Sequence, residues 1–247
     1  MNFSDLHVHS VYCDGKDTPE ELVLEAIKKN MDKIGFSSHS YTFFDESYCM
    51  KKEKIQDYKD EISYLKEKYK DKIEILCGVE QDFYSDEPCD DYDYVIGSVH
   101  YLKVGDKYIE IDSTEEDFIN AVKTYYDGDF YKLTEDYFAT VAKIKNADII
   151  GHFDLVTKFN EGYCLFNEKD ERYVNAYKKA LDVLLSENVI FEINTGVIAR
   201  GYKSHPYPSK EILDYIKKNG GRAILSSDSH SKEMLMFEFD KYNSYVF

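Results

Sequence analysis

One α/β domain whose parallel strands close into a barrel is the fold this 247-residue sequence predicts, on three observations. Short β-branched apolar stretches alternate with amphipathic helical stretches almost from end to end, the pattern of strand–helix–strand crossovers and a parallel sheet. Seven such strands are spread evenly along the chain, which fits one closed β/α barrel better than two domains. No Ser/Gly-rich linker and no fixed-period repeat interrupts them.

The elements follow in order. "FSDLHVH" reads as the first strand. "DTPEELVLEAIKKN" is a helix with Thr18 as N-cap, Pro19 at the first helical position and Glu21 closing a capping box. Leu22, Ala26 and Ile27 form its apolar face. "DKIGFSSH" is the second strand and "EKIQDYKDEISYLKEKYKD" the second helix, after which "IEILCGVE" and "YDYVIGSVH" are strands with only a short connection between them. Residues 113 to 145 read as two helices, capped by Ser113 or Thr114, within a helical insertion around 102–146 of a single 1–247 domain. The strand "ADIIGHFD", the helix "KDERYVNAYKKALDVLLSEN" and the strand "VIFEINTG" come next. "PSKEILDYIKKNGG" is a helix with Pro208 near its start and a glycine stop, "RAILSSDSH" the last strand, and "SKEMLMFEFDKY" a closing helix.

Composition narrows the function classes. At 43% hydrophobic and 15% aromatic, the chain can bury a sizeable core, which excludes a disordered protein. A net charge of −17 argues against a nucleic-acid backbone as partner. An anionic small molecule stays open, because bound cations can reverse the field of one pocket. Cys13, Cys49, Cys77, Cys89 and Cys164 are odd in number with no C-x-x-C pair, a reduced pattern rather than a disulfide framework. Cys13, close to the first histidines, reads as a small buried or half-buried thiol. No bilayer-length apolar run and no basic-then-apolar leader is visible, so a cytoplasmic protein without a membrane partner is expected.

His7 and His9 in "DLHVHS" are one residue apart, so on a strand both imidazoles leave the same face. Taken alone, such a pair is better explained by chance, or by two histidines on a solvated strand face, than by metal binding. The rest of the chain decides. His39 ends the second strand, Glu80 the third, His100 the fourth and His152 the fifth. Glu192 and Asn194 end the sixth, and Asp228 and His230 the seventh. Six of the seven histidines thus fall at strand carboxyl ends, the face on which barrel active sites are built. Nitrogen and carboxylate ligands without cysteine suit Zn²⁺, Mn²⁺ or Fe²⁺. Six histidines and at least three carboxylates exceed what one ion needs. A polynuclear site lowers the pKa of a bridging water and clamps the oxygens of a displacement at phosphorus, so hydrolysis is the expected reaction class.

The ordered series "DLHVHS", "DG", "SSHS", "GVE", "GSVH", "GHFDL", "EINTG" and "SDSH" resembles the PHP (polymerase and histidinol phosphatase) superfamily over essentially the full chain. "SVHYL" followed by "YIEID" and an insertion before "GHFDL" is similar to its histidinol-phosphate phosphatase branch. The resemblance implies a distorted (β/α)7 TIM-like barrel and three divalent metal ions. Carried over by position, it implies that His7, His9, Glu80 and Asp228 hold one ion, with Glu80 bridging to a second held by His100 and His152. Asp14, His39 and His230 would hold the third; Asp14 stands where other superfamily members use histidine.

The activity implied is hydrolysis of L-histidinol phosphate to L-histidinol and phosphate in histidine biosynthesis, with a small phosphate ester as partner and the oligomeric state left open. Arg200 is the phosphate-binding candidate, because a guanidinium fork matches phosphate geometry; Lys158 and His205 are further candidates. Asp228 or a metal-bound water would serve the leaving alkoxide, and Glu110 or Asp112 the substrate ammonium. Three rivals stand beside this reading. One is another PHP phosphoesterase acting on a small ester, a nucleotide or phosphotyrosine. Another is an amidohydrolase, disfavoured by His39, Glu80, the "DSH" ending and the lack of a strand-end lysine. The last is a metal-binding module without activity, disfavoured by the complete ligand set.

Overall fold

The computed structural model describes residues 3–247. In chain order these form β1 (Ser4–Val8), α1 (Pro19–Lys28), β2 (Lys33–Phe36), α2 (Ile55–Tyr69), β3 (Glu74–Asp82) and β4 (Tyr94–Ser98). A hairpin of β5 (Tyr101–Val104) and β6 (Lys107–Glu110) follows, then α3 (Glu115–Tyr125) and α4 (Phe130–Val141). The chain closes with β7 (Ile149–Ile150), α5 (Glu171–Ser186), β8 (Ile190–Asn194), α6 (Gly196–Ala199), α7 (Lys210–Lys218), β9 (Arg222–Ser226) and α8 (Phe239–Tyr242). Among the described residues no helix is long and apolar enough to cross a membrane.

Seven strands form one sheet in the order β1-β2-β3-β4-β7-β8-β9, and every neighbouring pair is parallel. The sheet rolls until its edges meet. Val8 pairs with Ser229; the His9 N–H donates to the Ser229 carbonyl at 2.8 Å and the Ser229 N–H to that of His7 at 3.0 Å. The distorted seven-stranded barrel expected from the sequence is the fold observed.

Below that pair, a side chain ties the seam. The buried Asp5 carboxylate accepts the Ser227 N–H at 3.0 Å, the Ser227 hydroxyl at 2.5 Å and the Met236 N–H at 3.2 Å. Asparagine there turns a donor toward donors, so Asp5→Asn is expected to destabilise the fold by about 1–3 kcal/mol. Chemical denaturation reads this, and an unchanged midpoint would show the seam closes without the carboxylate.

Leu6, Leu76, Tyr94, Ile96, Ile149, Ile190 and Ile224 pack together inside the barrel. The Tyr94 hydroxyl reaches across to the carbonyls of Leu6 (2.6 Å) and Phe36 (3.1 Å). The side chain fits because Gly35 and Gly78 leave room: a Cβ at Gly35 would lie 2.4 Å from its hydroxyl oxygen and one at Gly78 2.3 Å from its ring. Outside, Val8, Ile34, Phe36, Ile75 and Cys77 meet Leu22, Val23 and Ala26 of α1 and Tyr58, Ile62 and Leu65 of α2.

The capping box on α1 forms as expected, with the Thr18 side chain accepting the Glu21 N–H and Glu21 answering. Thr114, rather than Ser113, caps α3. Two local expectations differ from the structure. The insertion holds the β5–β6 hairpin before its two helices; four-residue strands around a turn at Gly105 (φ +61°) are too short to read as a period. The expected closing helix is broken into a 3₁₀ turn at Lys232–Met234 and α8. Met236 (φ +57°) and Glu238 (φ +52°) are left-handed there, and Asp5 takes the Met236 N–H that a helix would use.

Candidate metal centre

The first strand aims its histidines by breaking its own alternation. Pairing of β1 with β2 is irregular between Asp5 and Val8. Leu6 packs inside the barrel, while Val8 packs outside against α1. Regular alternation would place those two on one face. The irregularity switches the parity, and His7 and His9, both fully buried, turn into the barrel mouth.

Glu80, on β3 and 1% exposed, is the hub. Its Oε2 lies 2.9 Å from His39 Nδ1, 3.2 Å from His7 Nε2 and 3.5 Å from His9 Nε2. Its Oε1 lies 2.8 Å from His152 Nε2 and 3.5 Å from His100 Nε2, and accepts the Ser98 hydroxyl at 2.6 Å. Asp14 is a second focus, with oxygens 3.3 Å from His230 Nε2, 3.7 Å from His39 Nε2 and 3.9 Å from His9 Nδ1. The residue after it must be glycine, since a Cβ on Gly15 would sit 2.5 Å from the Ser10 nitrogen. Asp228 Oδ1 is 3.3 Å from His9 Nε2, 3.6 Å from His230 Nδ1 and 3.7 Å from His7 Nε2. All nine ligand residues expected from the sequence therefore converge.

Whether these residues suit cations is decided by their unsatisfied atoms. Among the described residues His7 Nε2 and His9 Nε2 are buried without any hydrogen-bond partner, and Glu80 Oε2, although 2.9 Å from His39 Nδ1, makes no well-aligned hydrogen bond, whereas buried polar atoms are normally paired. Three lone pairs around one point are what a divalent ion satisfies. Three sets keep their ligand atoms within 4.8 Å of one another: His7–His9–Glu80, His39–Glu80–His100 and His9–Asp14–His39–His230. His9 and His39 each belong to two sets, so the ligand groups overlap more than the one-ion-per-group carry-over implied. The fit to nitrogen- and oxygen-preferring divalent ions holds.

The electrostatics agree. Burial alone would raise Glu80, but the charges of His7, His39 and His100 outweigh it and hold the carboxyl well below its usual range. Asp228 is likewise held well below, burial being overcome by Arg200 and then His7. Burial, with His230 and His39 alongside, pulls His9 down to about 3, leaving a neutral imidazole with lone pairs to give.

Two carboxylates outside the expected ligand set support it. Glu192 Oε1 is 2.5 Å from His7 Nδ1. Asp82 accepts the His100 N–H at 3.0 Å and lies 3.4 Å from its Nδ1. Asp82 lies two residues beyond Glu80 on the same strand face, the one local signal for it; Glu192 ends its strand with nothing local to mark its partner.

A cavity of about 260 Å³ opens over these residues and is also lined by Tyr48, Tyr101, Glu110, Asp112, Lys158, Arg200 and Tyr207. Arg200 follows α6, and its Nη2 and Nη1 donate to Asp228 Oδ2 (2.7 Å) and the Asp228 carbonyl (3.0 Å). Lys158 reaches the cavity but donates to the Asp112 carbonyl at 2.5 Å and its carboxylate at 3.3 Å. His205, expected in the same pocket, is not among its lining residues. Lys203 instead buries its ammonium on Thr157 Oγ1 at 2.9 Å, and His205 lies beside Glu161 at 3.8 Å. Of the two carboxylates expected to meet an ammonium, Asp112 is engaged by Lys158, while the Glu110 side chain makes no hydrogen bond or close ion pair among the described residues. Burial, and then Asp112 and Asp45, pushes Glu110 up to about 7.

Comparison with known proteins places this geometry. A histidinol-phosphatase of Bacillus subtilis is 24% identical over 98% of this chain and 98% of its own length. That of Lactococcus lactis is 27% identical over 93% of this chain and 85% of its own. The crystal structure of a Lactococcus lactis histidinol phosphate phosphatase complexed with zinc, L-histidinol and phosphate shares the fold, with a TM-score of 0.73 at 24% identity over 99% of this chain and 92% of that one. A PHP domain family model matches residues 5–196, and the chain belongs to the PHP domain family.

Proposed function

We propose that the protein is a metal-dependent phosphoric monoester hydrolase that converts L-histidinol phosphate to L-histidinol and phosphate in histidine biosynthesis, using three divalent ions. The observation that carries this reading is the convergence of six histidines with Asp14, Glu80 and Asp228 at the floor of a cavity that Arg200 also lines. The histidinol-phosphatases similar to it along nearly their whole length support the substrate.

His7, His9, Glu80 and Asp228 would hold one ion, Glu80, His100 and His152 a second, and Asp14, His39 and His230 a third. Bound divalent ions supply Lewis acidity and a water nucleophile at neutral pH. The chain's own residues do the rest. Arg200 directs its remaining donors at the phosphoryl oxygens while its Nη2 holds Asp228 in place. Lys158 adds positive charge beside that group. Asp228, kept ionised, has no proton to give a leaving alkoxide at rest. Glu110 receives the substrate ammonium.

Phosphate release from L-histidinol phosphate by the metal-loaded protein, against p-nitrophenyl phosphate, nucleotides and a phosphotyrosine peptide, tests the reading. A kcat/KM for histidinol phosphate well above the panel is expected. Release from other esters alone would keep the metal chemistry and discard the substrate. No release from any ester would discard the hydrolase.

The ammonium contact has its own test. Glu110→Gln should raise KM for histidinol phosphate about 10-fold, the size of one charge-assisted contact, and leave kcat for the aryl phosphate unchanged. Because burial and the neighbouring Asp112 and Asp45 push Glu110 up to about 7, the wild-type KM should rise more steeply than the variant's as pH falls below that value. A KM unaffected by the substitution removes Glu110 from the site.

A further inference from the structure

Glu192 makes more contacts with the metal-site residues than a structural carboxylate on a strand requires. It is fully buried, as is His7. Its Oε1 lies 2.5 Å from His7 Nδ1. Its Oε2 accepts the His152 backbone N–H at 2.7 Å and the Asn194 side-chain amide at 2.9 Å. That same Asn194 amide donates to Asp228 Oδ2 at 3.2 Å, and the Asn194 side-chain oxygen accepts the Gly196 N–H at 2.9 Å. Glu192 and Asn194 are two residues apart on β8 and so share one face. They join the ends of β1, β7 and β9 below the metal centre.

We propose that Glu192 is a positioning residue that selects the metal-facing nitrogen of His7 and, with Asn194, holds His152 and Asp228 in register with it. An ionised carboxylate only accepts hydrogen bonds. With a cation at the site, His7 must therefore keep its one proton on Nδ1, which leaves the Nε2 lone pair to the cation. That nitrogen is one of the buried unpartnered atoms, 3.2 Å from Glu80 Oε2. A carboxylate behind a ligating imidazole fixes its tautomer and ring plane and raises its basicity. The inference rests on the metal-centre reading but not on the substrate assigned above.

Glutamine cannot replace this carboxylate. With its oxygen toward the His152 N–H, its amide faces His7 Nδ1 and moves the ring proton to Nε2, where it blocks the ligand lone pair. With its oxygen toward His7, its amide opposes the His152 N–H, donor against donor. Aspartate keeps the acceptor but falls a methylene short of His7.

The test is a chelator competition on the zinc-loaded full chain, with zinc counted per chain. In Glu192→Gln, zinc in the sites that include His7 and His152 should bind about 10–100-fold more weakly, the usual range for losing such a partner, while zinc held by Asp14, His39 and His230 competes as in wild type. Glu192→Asp should shift the same zinc in the same direction, and it carries the test where the glutamine variant does not fold. An unshifted competition curve in a folded variant overturns the proposal, because a merely structural carboxylate would lower thermal stability without moving one ion. A further reading needs no variant: nitrogen NMR of the zinc-loaded wild type should show His7 protonated at Nδ1 and not at Nε2. A proton on Nε2 overturns the assignment outright. A wild type that takes up no zinc overturns the metal-centre reading itself, whatever the substrate.

Discussion

Glu80→Gln is expected to lower kcat/KM by about 10³-fold or more and to lower the metal content of the purified protein with it. The reason lies in what surrounds the carboxylate. Five imidazole nitrogens lie within 3.5 Å of its two oxygens, and its one other partner is the Ser98 hydroxyl. Glutamine would keep the shape, remove the charge and turn an N–H₂ group toward imidazoles. Glu80 is held well below the usual carboxylate range, so the neutral side chain that glutamine imitates is a state the native group does not sample near neutral pH. Removing one partner from a buried charged set also costs about 3–5 kcal/mol of stability. The folded fraction should therefore be checked by circular dichroism before activity is compared. A folded Glu80→Gln protein that keeps its metal and its kcat/KM would mean that the hub does not bind the ions.

How much of this site could be read from the sequence depends on which interactions make it. The strand ends were legible because each ligand closes a short apolar run, and that one regularity gathers His39, Glu80, His100, His152 and Asp228. The helix cap at Thr18 was legible because a capping box is local. His7 and His9 were rightly paired on one face, yet the face they turn to is set by the irregularity in β1, which depends on the register with β2. Nothing local in the sequence marks Asp5, because its role at the seam exists only once the first and last strands meet. Glu192 was hidden for the same reason, since its partner His7 is 185 residues away. His205 shows the converse error: being near Arg200 in sequence says little where the chain turns, and the burial of Lys203 directs it elsewhere.

Arg200→Lys should lower kcat/KM for histidinol phosphate by about 10²–10³-fold, with metal content unchanged. The guanidinium has five donors in a rigid fork. The contacts to the Asp228 carboxylate at 2.7 Å and its carbonyl at 3.0 Å use one hydrogen from each terminal nitrogen, leaving others free for the cavity. Backbone geometry protects this arrangement. A Cβ on Gly196 would come within 3.0 Å of both Arg200 Nη2 and the Asp228 Cβ, so the approach requires glycine there. Lysine offers a single ammonium that can meet Asp228 or the phosphoryl oxygens at full strength, but does not span both. If the fork meets charge that grows in the transition state, the loss falls mainly on kcat; if it only holds the ground-state phosphate, it falls on KM. An equal loss for histidinol phosphate and p-nitrophenyl phosphate is the signature of a phosphate contact, because the two esters share nothing else. A loss confined to histidinol phosphate would assign Arg200 to the leaving group instead. Wild-type rates on both esters would remove it from the reaction and leave it as the partner of Asp228 alone.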